Sequence, residues 1–231
     1  MRFIKAVLLA SIFIFSQQIA NCQDAMALVK QVKARLDKVN DYTATGKMKT
    51  DVAFLKVPVA AVNIYFKKPN KFRISKTKGI SIMPKGGISV SMQNVLIDND
   101  FVALDAGNSN ISGTAVKVVK LLPINESSDV VLTTLYIDPT TFLIRKATTT
   151  TRESGTYDVE MSYGKFAEYA LPDKMVFSFN TKAYRLPKSI TLEFDDGERP
   201  DAGKFKDKKG RVEITYQTYE INKGVQDGIF K

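Results

Sequence analysis

Residues 62–78, VNIYFKKPNKFRISKTK, constrain the fold of this chain more than any other stretch. Apolar and polar residues alternate on both sides of a Lys-Lys-Pro-Asn corner, and strand side chains point to opposite faces with period two. Proline cannot donate to a strand ladder and disfavours helix at the residue before it. The stretch therefore predicts two antiparallel strands joined by a turn at Pro69 and Asn70. The predicted buried side consists of Val62, Ile64, Phe66, Phe72 and Ile74.

The same alternation continues through most of the chain and predicts about ten or eleven strands. Sequential short strands separated by turns are typical of an antiparallel meander that curls. The clearest predicted strands are 42–53, 57–67, 71–77, 130–137, 142–151, 156–163, 174–182, 188–194 and 211–221. Less regular patterns predict further strands in 80–92 and a hairpin in 94–104. A loop is predicted at 106–113, and a flexible loop or hairpin tip at 195–210.

Two segments have helical spacing instead. After a predicted N-cap at Asp24, apolar residues recur at steps of three and four, which predicts an amphipathic helix ending near Asn40. Its apolar stripe comprises Ala25, Val29, Val32, Leu36 and Val39. In 114–122 the residues Ala115, Val118, Val119 and Leu122 repeat in the same way before Pro123, which predicts a second helix.

Several predicted strands are apolar on both faces, most clearly 130–137, VVLTTLYI. An antiparallel sheet with one solvent-exposed face shows strict alternation of apolar and polar residues, so something apolar must cover each side here. Two arrangements remain open at this point. The sheet either closes into a packed barrel or leaves an apolar concavity that its few helices cover in part, and such a concavity is a binding site by default.

The N-terminal residues resemble a bacterial secretory signal, with Arg2 and Lys5, an apolar core at 6–15 and small residues before Gln23. We expect residues 1–22 to be a signal peptide and 23–231 to be one domain. The apolar core is too short for a transmembrane helix, which needs about 20 apolar residues. Cys22 leaves an alternative, in which it is the lipidated first residue of an anchored lipoprotein.

Composition excludes several classes of chemistry. Histidine is absent, which removes the usual neutral-pH proton shuttle and the commonest nitrogen ligand of metals. The sequence contains no nucleophile elbow, phosphate loop, CxxC pair or HExxH motif. We therefore expect no catalytic residue, no metal and no cofactor. The net charge of +10 suits either an anionic partner or a solubilising surface, and no RNA-binding motif supports a nucleic-acid partner.

Four stretches, taken in order, resemble the periplasmic lipoprotein carriers, the LolA-like or outer-membrane lipoprotein-sorting family. These are RLDKV at 35–39, IYFKKPNKF at 64–72, YIDP at 136–139 and YEINKGVQDGIF at 219–230. The resemblance implies an incomplete antiparallel barrel with an N-terminal amphipathic helix and a helical lid on its concave side. The concave side of that fold holds acyl chains.

The resemblance further implies a monomeric, non-enzymatic periplasmic carrier that takes lipoproteins or lipids from an inner-membrane donor to an outer-membrane acceptor. The alternative function is a regulatory or structural protein that senses lipids or lipoproteins, and lipidation of Cys22 would make it an anchored lipoprotein itself. Lys68 occupies the position of the arginine that latches the lid in the carriers. Lysine is a point charge and lacks the planar guanidinium group of arginine. The candidate cavity residues are Ile64, Phe66, Phe72, Ile74, Leu135, Ile137, Phe177 and Phe179.

Overall fold

The structure is a computed structural model that describes residues 25–52, 55–56, 58–76, 101–125, 127–152, 155–180 and 209–230. Eleven strands and one α-helix, α1 at 25–36, make up most of this part of the chain. Two short 3-10 helices occur at Ala167–Tyr169 and Asp227–Phe230. The strands are β1 (Asp41–Val52), β2 (Leu55–Lys56), β3 (Ala60–Lys67), β4 (Lys71–Lys76), β5 (Phe101–Ile111), β6 (Thr114–Pro123), β7 (Val130–Asp138), β8 (Leu143–Thr151), β9 (Gly155–Ser162), β10 (Lys174–Asn180) and β11 (Lys209–Ile221).

All eleven strands belong to one antiparallel sheet. Its order is β4-β3-β1-β11-β10-β9-β8-β7-β6-β5, with β2 paired only to β1. Strands β5 to β11 form one meander, and β1, β3 and β4 form a second. The pairing of β11 with β1 joins the two, so the consecutive strands β4 and β5 lie at opposite edges. Within the described residues β4 and β5 are the two ends of the sheet, so the sheet does not close on itself. The architecture is an incomplete barrel, as expected.

The predicted hairpin is confirmed. Phe66 lies opposite Phe72 and Ile64 opposite Ile74, so the apolar residues of β3 and β4 share a face. The turn falls at residues 68–70, and the Lys68–Pro69 peptide bond is cis. The first helix is also confirmed, because the buried residues Ala25, Val29 and Val32 follow the predicted stripe, although it ends at residue 36 and not near Asn40.

Two predictions are wrong. Residues 114–122 form strand β6 instead of a helix, and the predicted loop at 106–113 is mostly the second half of β5. In β6 Val116 and Val118 are buried on one face while Val119 and Leu121 are buried on the other. Burial on both faces removes the period-two signal, and the remaining apolar spacing matched a helix by coincidence. The predictions for 1–24, 80–92, 94–100 and 188–194, and for most of 195–210, lie outside the described residues.

Candidate functional site

The strand register separates the two faces of the sheet. One row of directly opposed residues crosses seven strands and is almost entirely apolar: Thr50, Val212, Phe177, Val159, Ala147, Leu135 and Val119. The row one residue away is polar: Asp51, Arg211, Ser178, Asp158, Thr148, Thr134 and Lys120. Because a shift of one residue changes the face, these rows lie on opposite sides of the sheet. We call the first side the inner face and the second the outer face.

Helix α1 lies on the inner face. Its residues Ala25, Val29 and Val32 are buried in one cluster with side chains from β5 to β10. Leu28 and Leu36 are partly buried against the same cluster. The sequence produces this contact because an amphipathic helix with one apolar stripe must cover an apolar surface. The strand members of this first cluster include Val119, Leu121, Leu135, Ile137, Ala147, Val159, Phe177 and Phe179.

A second cluster occupies the inner face over β4, β3, β1 and β11, where α1 does not pack. Val39, which follows α1, and Leu171, which follows the first 3-10 helix, are buried in it. Tyr219 joins the cluster through an edge contact with Phe166, with ring centroids 4.8 Å apart, and its hydroxyl donates to the carbonyl of Pro172 at 2.8 Å. Burial raises the pKa of Tyr42, Tyr216 and Tyr219, so these phenols remain neutral.

The eight candidate cavity residues all lie on the inner face, but they divide between the two clusters. Leu135, Ile137, Phe177 and Phe179 belong to the first cluster, beneath α1. Ile64, Phe66 and Ile74 belong to the second cluster, with Phe72 partly buried against it. Leu135, Ile137, Ile64 and Phe66 are completely buried, at 0% exposure. A ligand therefore reaches this face only if its covering segments move.

Lys68 connects the β3–β4 turn to the end of α1. Its Nζ donates to the Asp37 carbonyl at 3.0 Å and to the Asp37 carboxylate at 3.2 Å. Lys33 binds the same carboxylate at 3.1 Å from within the helix. Burial acts to raise the pKa of Asp37, but hydrogen bonds from Lys33 and Lys68 outweigh it and lower the pKa. Sequence reasoning identified Lys68 and missed its partner, although Asp37 lies within the quoted RLDKV stretch.

Asn222 fastens the chain after β11 to the junction between α1 and β1. Its Oδ1 accepts hydrogen bonds from the backbone amides of Asn40 and Asp41, at 2.7 and 3.4 Å, and its Nδ2 donates to the carbonyl of Lys38 at 2.8 Å. Its backbone φ of 56° lies in the left-handed region, which asparagine tolerates better than most residues. Sequence reasoning gave Asn222 no role, because its partners are about 180 residues away in the chain.

Two buried threonines add polar groups to the inner face. Thr133 and Thr149 are each 1% exposed, and their hydroxyl oxygens lie 3.3 Å apart on neighbouring strands. Tyr157, on the next strand in the same row, has its pKa raised by burial, which outweighs a hydrogen bond with Thr149. The sequence signal was the threonine run at 148–151, which sequence reasoning treated only as strand.

Among the described residues, Asp138 is the one Asp or Glu whose side chain is buried. Arg145 donates to it at 3.0 Å, and the backbone amides of Thr140 and Thr141 donate at 3.0 and 3.2 Å. Burial acts to raise the pKa of Asp138, but hydrogen bonds with Thr141 and Arg145 lower it below its usual value. Asp138 is thus held as a charged group that orders the β7–β8 turn.

The described residues contain no group of three or more His, Cys, Asp or Glu side chains placed to hold a metal ion. Among the same residues, no helix combines the length and the apolar character needed to span a membrane.

Comparison with solved structures identifies the fold. A domain from Vibrio parahaemolyticus described as an outer membrane lipoprotein-sorting protein superposes with a TM-score of 0.58 at 11% identity, covering 91% of this chain and 97% of that one. A LolA superfamily protein from Nitrosomonas europaea gives a TM-score of 0.54 at 10% identity, covering 88% and 97%. This chain has a LolA-like fold.

A DUF1329 family protein from Desulfovibrio piger also superposes on this chain, with a TM-score of 0.55 at 12% identity and coverage of 91% and 97%. No family model matches the sequence, and no curated protein matches it significantly. The three-dimensional structure therefore identifies the fold, whereas sequence identities of 10–12% are too low to transfer a function.

Proposed function

We propose that this protein is a non-enzymatic periplasmic carrier that shelters acyl chains of lipoproteins or lipids on the inner face of its LolA-like sheet. The observation that carries the proposal is the apolar row on the inner face of an open sheet, whose residues on β6 to β10 lie beneath α1. Each methylene group moved from water to such a surface gains about 0.8 kcal/mol, so one long chain supplies ample affinity without any charged contact.

Binding requires α1 to move. The eight candidate residues are buried or partly buried in this structure, and α1 covers four of them. The apolar stripe of α1 occupies the place that an acyl chain would take, so helix and ligand compete for the same surface. Lys68 holds the end of α1 through Asp37 and in this proposal is the latch of the lid.

Residues 23–231 act in this proposal as one domain that is exported by the signal at 1–22 and works as a monomer. An inner-membrane donor loads the carrier and an outer-membrane acceptor unloads it. Release then needs no chemistry, because a partner or membrane with a comparable apolar site receives the chains. Mass spectrometry of the mature N-terminus distinguishes removal of Cys22 from its lipidation.

The test uses tryptophan, which the chain lacks entirely. A single tryptophan at Phe177 reports on the first cluster, one at Phe66 reports on the second, and one at Tyr136 on the outer face is the control. We expect a bromine-labelled fatty acid to quench the fluorescence of Phe177→Trp and Phe66→Trp and to leave Tyr136→Trp unchanged. Tyr157→Trp replaces Phe177→Trp if the larger ring prevents folding.

Absence of quenching in both inner-face variants, together with native mass spectra of the purified protein without bound lipid, would contradict the carrier proposal. Quenching of Phe177→Trp alone would confine the cavity to the first cluster and remove Ile64, Phe66, Phe72 and Ile74 from its wall. Equal quenching of Tyr136→Trp would show that the fatty acid adsorbs to the protein surface without entering a cavity.

A further inference from the structure

One corner of the molecule concentrates positive charge. The segments 33–41, 67–73 and 222–230 contain eight Lys and Arg residues and three Asp residues, a net charge of +5. These 25 residues thus hold half of the chain's net charge of +10. We call the three segments together the basic corner.

Contacts hold the three segments against one another. Lys68 joins the β3–β4 turn to Asp37, and the Asn222 side chain joins the C-terminal segment to the end of α1. Lys67 and Lys71 both bind Asp227, at 3.0 and 2.8 Å. Arg73 donates to the carbonyl of Ile229. The charge is therefore placed by the fold and is not spread along a flexible tail.

The basic corner lies at one rim of the sheet. Lys67 ends β3 opposite Asp41, the start of β1, and opposite Lys71, the start of β4. Ile221 ends β11 opposite Tyr42. Four strands therefore end together where the basic side chains lie.

The chemistry of the basic corner suits a diffuse negative surface better than a specific acidic peptide. Its two arginines, Arg35 and Arg73, donate to backbone carbonyls of this chain, at Ala167 and Ile229. The other six basic residues are lysines, whose ammonium groups act as point charges without the fork that pairs with a carboxylate. Ile229 and Phe230 are half-exposed beside them, and apolar residues among lysines are typical of protein surfaces that contact a bilayer.

The three Asp residues of the basic corner do not neutralise its eight Lys and Arg residues. Asp37 is shared between two lysines, and so is Asp227. Each such group of three keeps one positive charge, and Lys38 and Lys223 are exposed beside them. A surface of anionic headgroups would supply the missing negative charge.

We propose that the basic corner binds the surface of an anionic phospholipid bilayer. The inference rests on the proposed function in one respect, namely that it names the surface at which the carrier exchanges acyl chains. Attraction to headgroups needs no acyl chain in the cavity, so the two proposals can fail separately.

The test is co-sedimentation of the delipidated protein with vesicles of phosphatidylcholine, with or without phosphatidylglycerol. We expect binding only to the vesicles that contain phosphatidylglycerol, and we expect it to disappear near 1 M salt, where the screening length falls to about 3 Å. Replacing Lys38 and Lys223 by glutamine should weaken the partition coefficient roughly 25-fold, since each lysine near the surface contributes about five-fold to it.

The matched control replaces Lys47 and Lys120 by glutamine, because both are exposed on the outer face away from the corner and the charge change is the same. We expect the control to weaken binding less than about three-fold.

Equal losses in the two double variants, or no preference for anionic vesicles, would overturn the proposal. So would binding to polyglutamate without binding to anionic vesicles, which would assign the corner to an acidic protein. Fatty-acid uptake measured without vesicles reports separately on the cavity.

Discussion

At the scale of single residues, Gly46 shows most directly how backbone packing limits the sequence. The register between β1 and β11 shifts between Thr45 and Gly46, because β11 contains one additional residue there. The bulge keeps Tyr216, Tyr219 and Ile221 on the inner face although their spacing departs from strict alternation. A Cβ atom on Gly46 would lie 2.6 Å from the carbonyl oxygen of Thr215, which is backbone and cannot move aside easily.

We therefore expect Gly46→Ala to lower the free energy of unfolding by about 1–3 kcal/mol, as overpacking does elsewhere. Urea denaturation followed by circular dichroism measures the change. Gly228→Ala is the control, since a Cβ atom there would meet no atom within 4 Å beyond its chain neighbours, and it should change stability by less than about 0.5 kcal/mol. Similar effects of the two substitutions would contradict the close approach of Gly46 to the backbone of β11.

At the scale of secondary-structure elements, the C-terminal 3-10 helix is fastened to the β3–β4 hairpin through Asp227. Hydrogen bonds from Lys71 and Lys67 lower the pKa of Asp227 to about 2. A carboxyl group with a lower pKa in the folded chain than in the unfolded chain stabilises the fold only while it is ionised. Its contribution is complete above the ordinary pKa of 3.8 and is lost as the pH falls toward 2.

We expect Asp227→Asn to be less stable than the wild type above pH of about 4, and the difference to shrink as the pH approaches about 2. The measurement is the free energy of unfolding of both proteins across that pH range. Asp51→Asn, at an exposed position on β1, is the control for the general effect of removing one carboxylate. A difference that stays constant with pH would exclude titration of Asp227 as its source.

A second element, α1, is held at its end by Lys68 and Asp37. Both side chains are partly exposed, at 25% and 44%, and ion pairs of this kind contribute about 0.2–1 kcal/mol. We therefore expect Lys68→Gln to increase the rate of fatty-acid uptake by at most about five-fold. Stopped-flow fluorescence of a labelled fatty acid measures the rate.

Lys47→Gln, which removes the same charge from the outer face, is the control for the uptake experiment. Slower uptake in Lys68→Gln than in this control would mean that Lys68 contacts the ligand instead of holding α1.

At the scale of the whole molecule, the exchange of α1 for a ligand links binding to stability. An acyl chain that fills the inner face stabilises only the folded protein, and a ligand at 100 times its Kd adds about 2.7 kcal/mol. We expect a long-chain fatty acid to raise the Tm, whereas glycerol phosphate, which carries a headgroup and no tail, should leave it unchanged. Differential scanning calorimetry checks both. A fatty acid without effect on the Tm would contradict binding on the inner face.

Local sequence patterns were sufficient to predict the strands and the helix that bury a single face. The alternation in 62–78 predicted β3, its turn and β4, and the apolar stripe of 25–36 predicted α1, because each pattern records a single buried face. The resemblance in four short stretches predicted the LolA-like fold, which the comparisons support. Lys68 was likewise found from its place in a quoted stretch.

Tertiary structure alone decided the remaining features. Residues 114–123 became a strand because neighbours cover both of its faces, and 108–111 pair with β6 although their small residues resemble a loop. The partners of Asn222 and the division of the eight candidate residues between two clusters depend on the position of β11, which returns between β1 and β10. Contacts between residues so distant in the chain leave no periodic signal in the sequence, since they arise only when the sheet has formed.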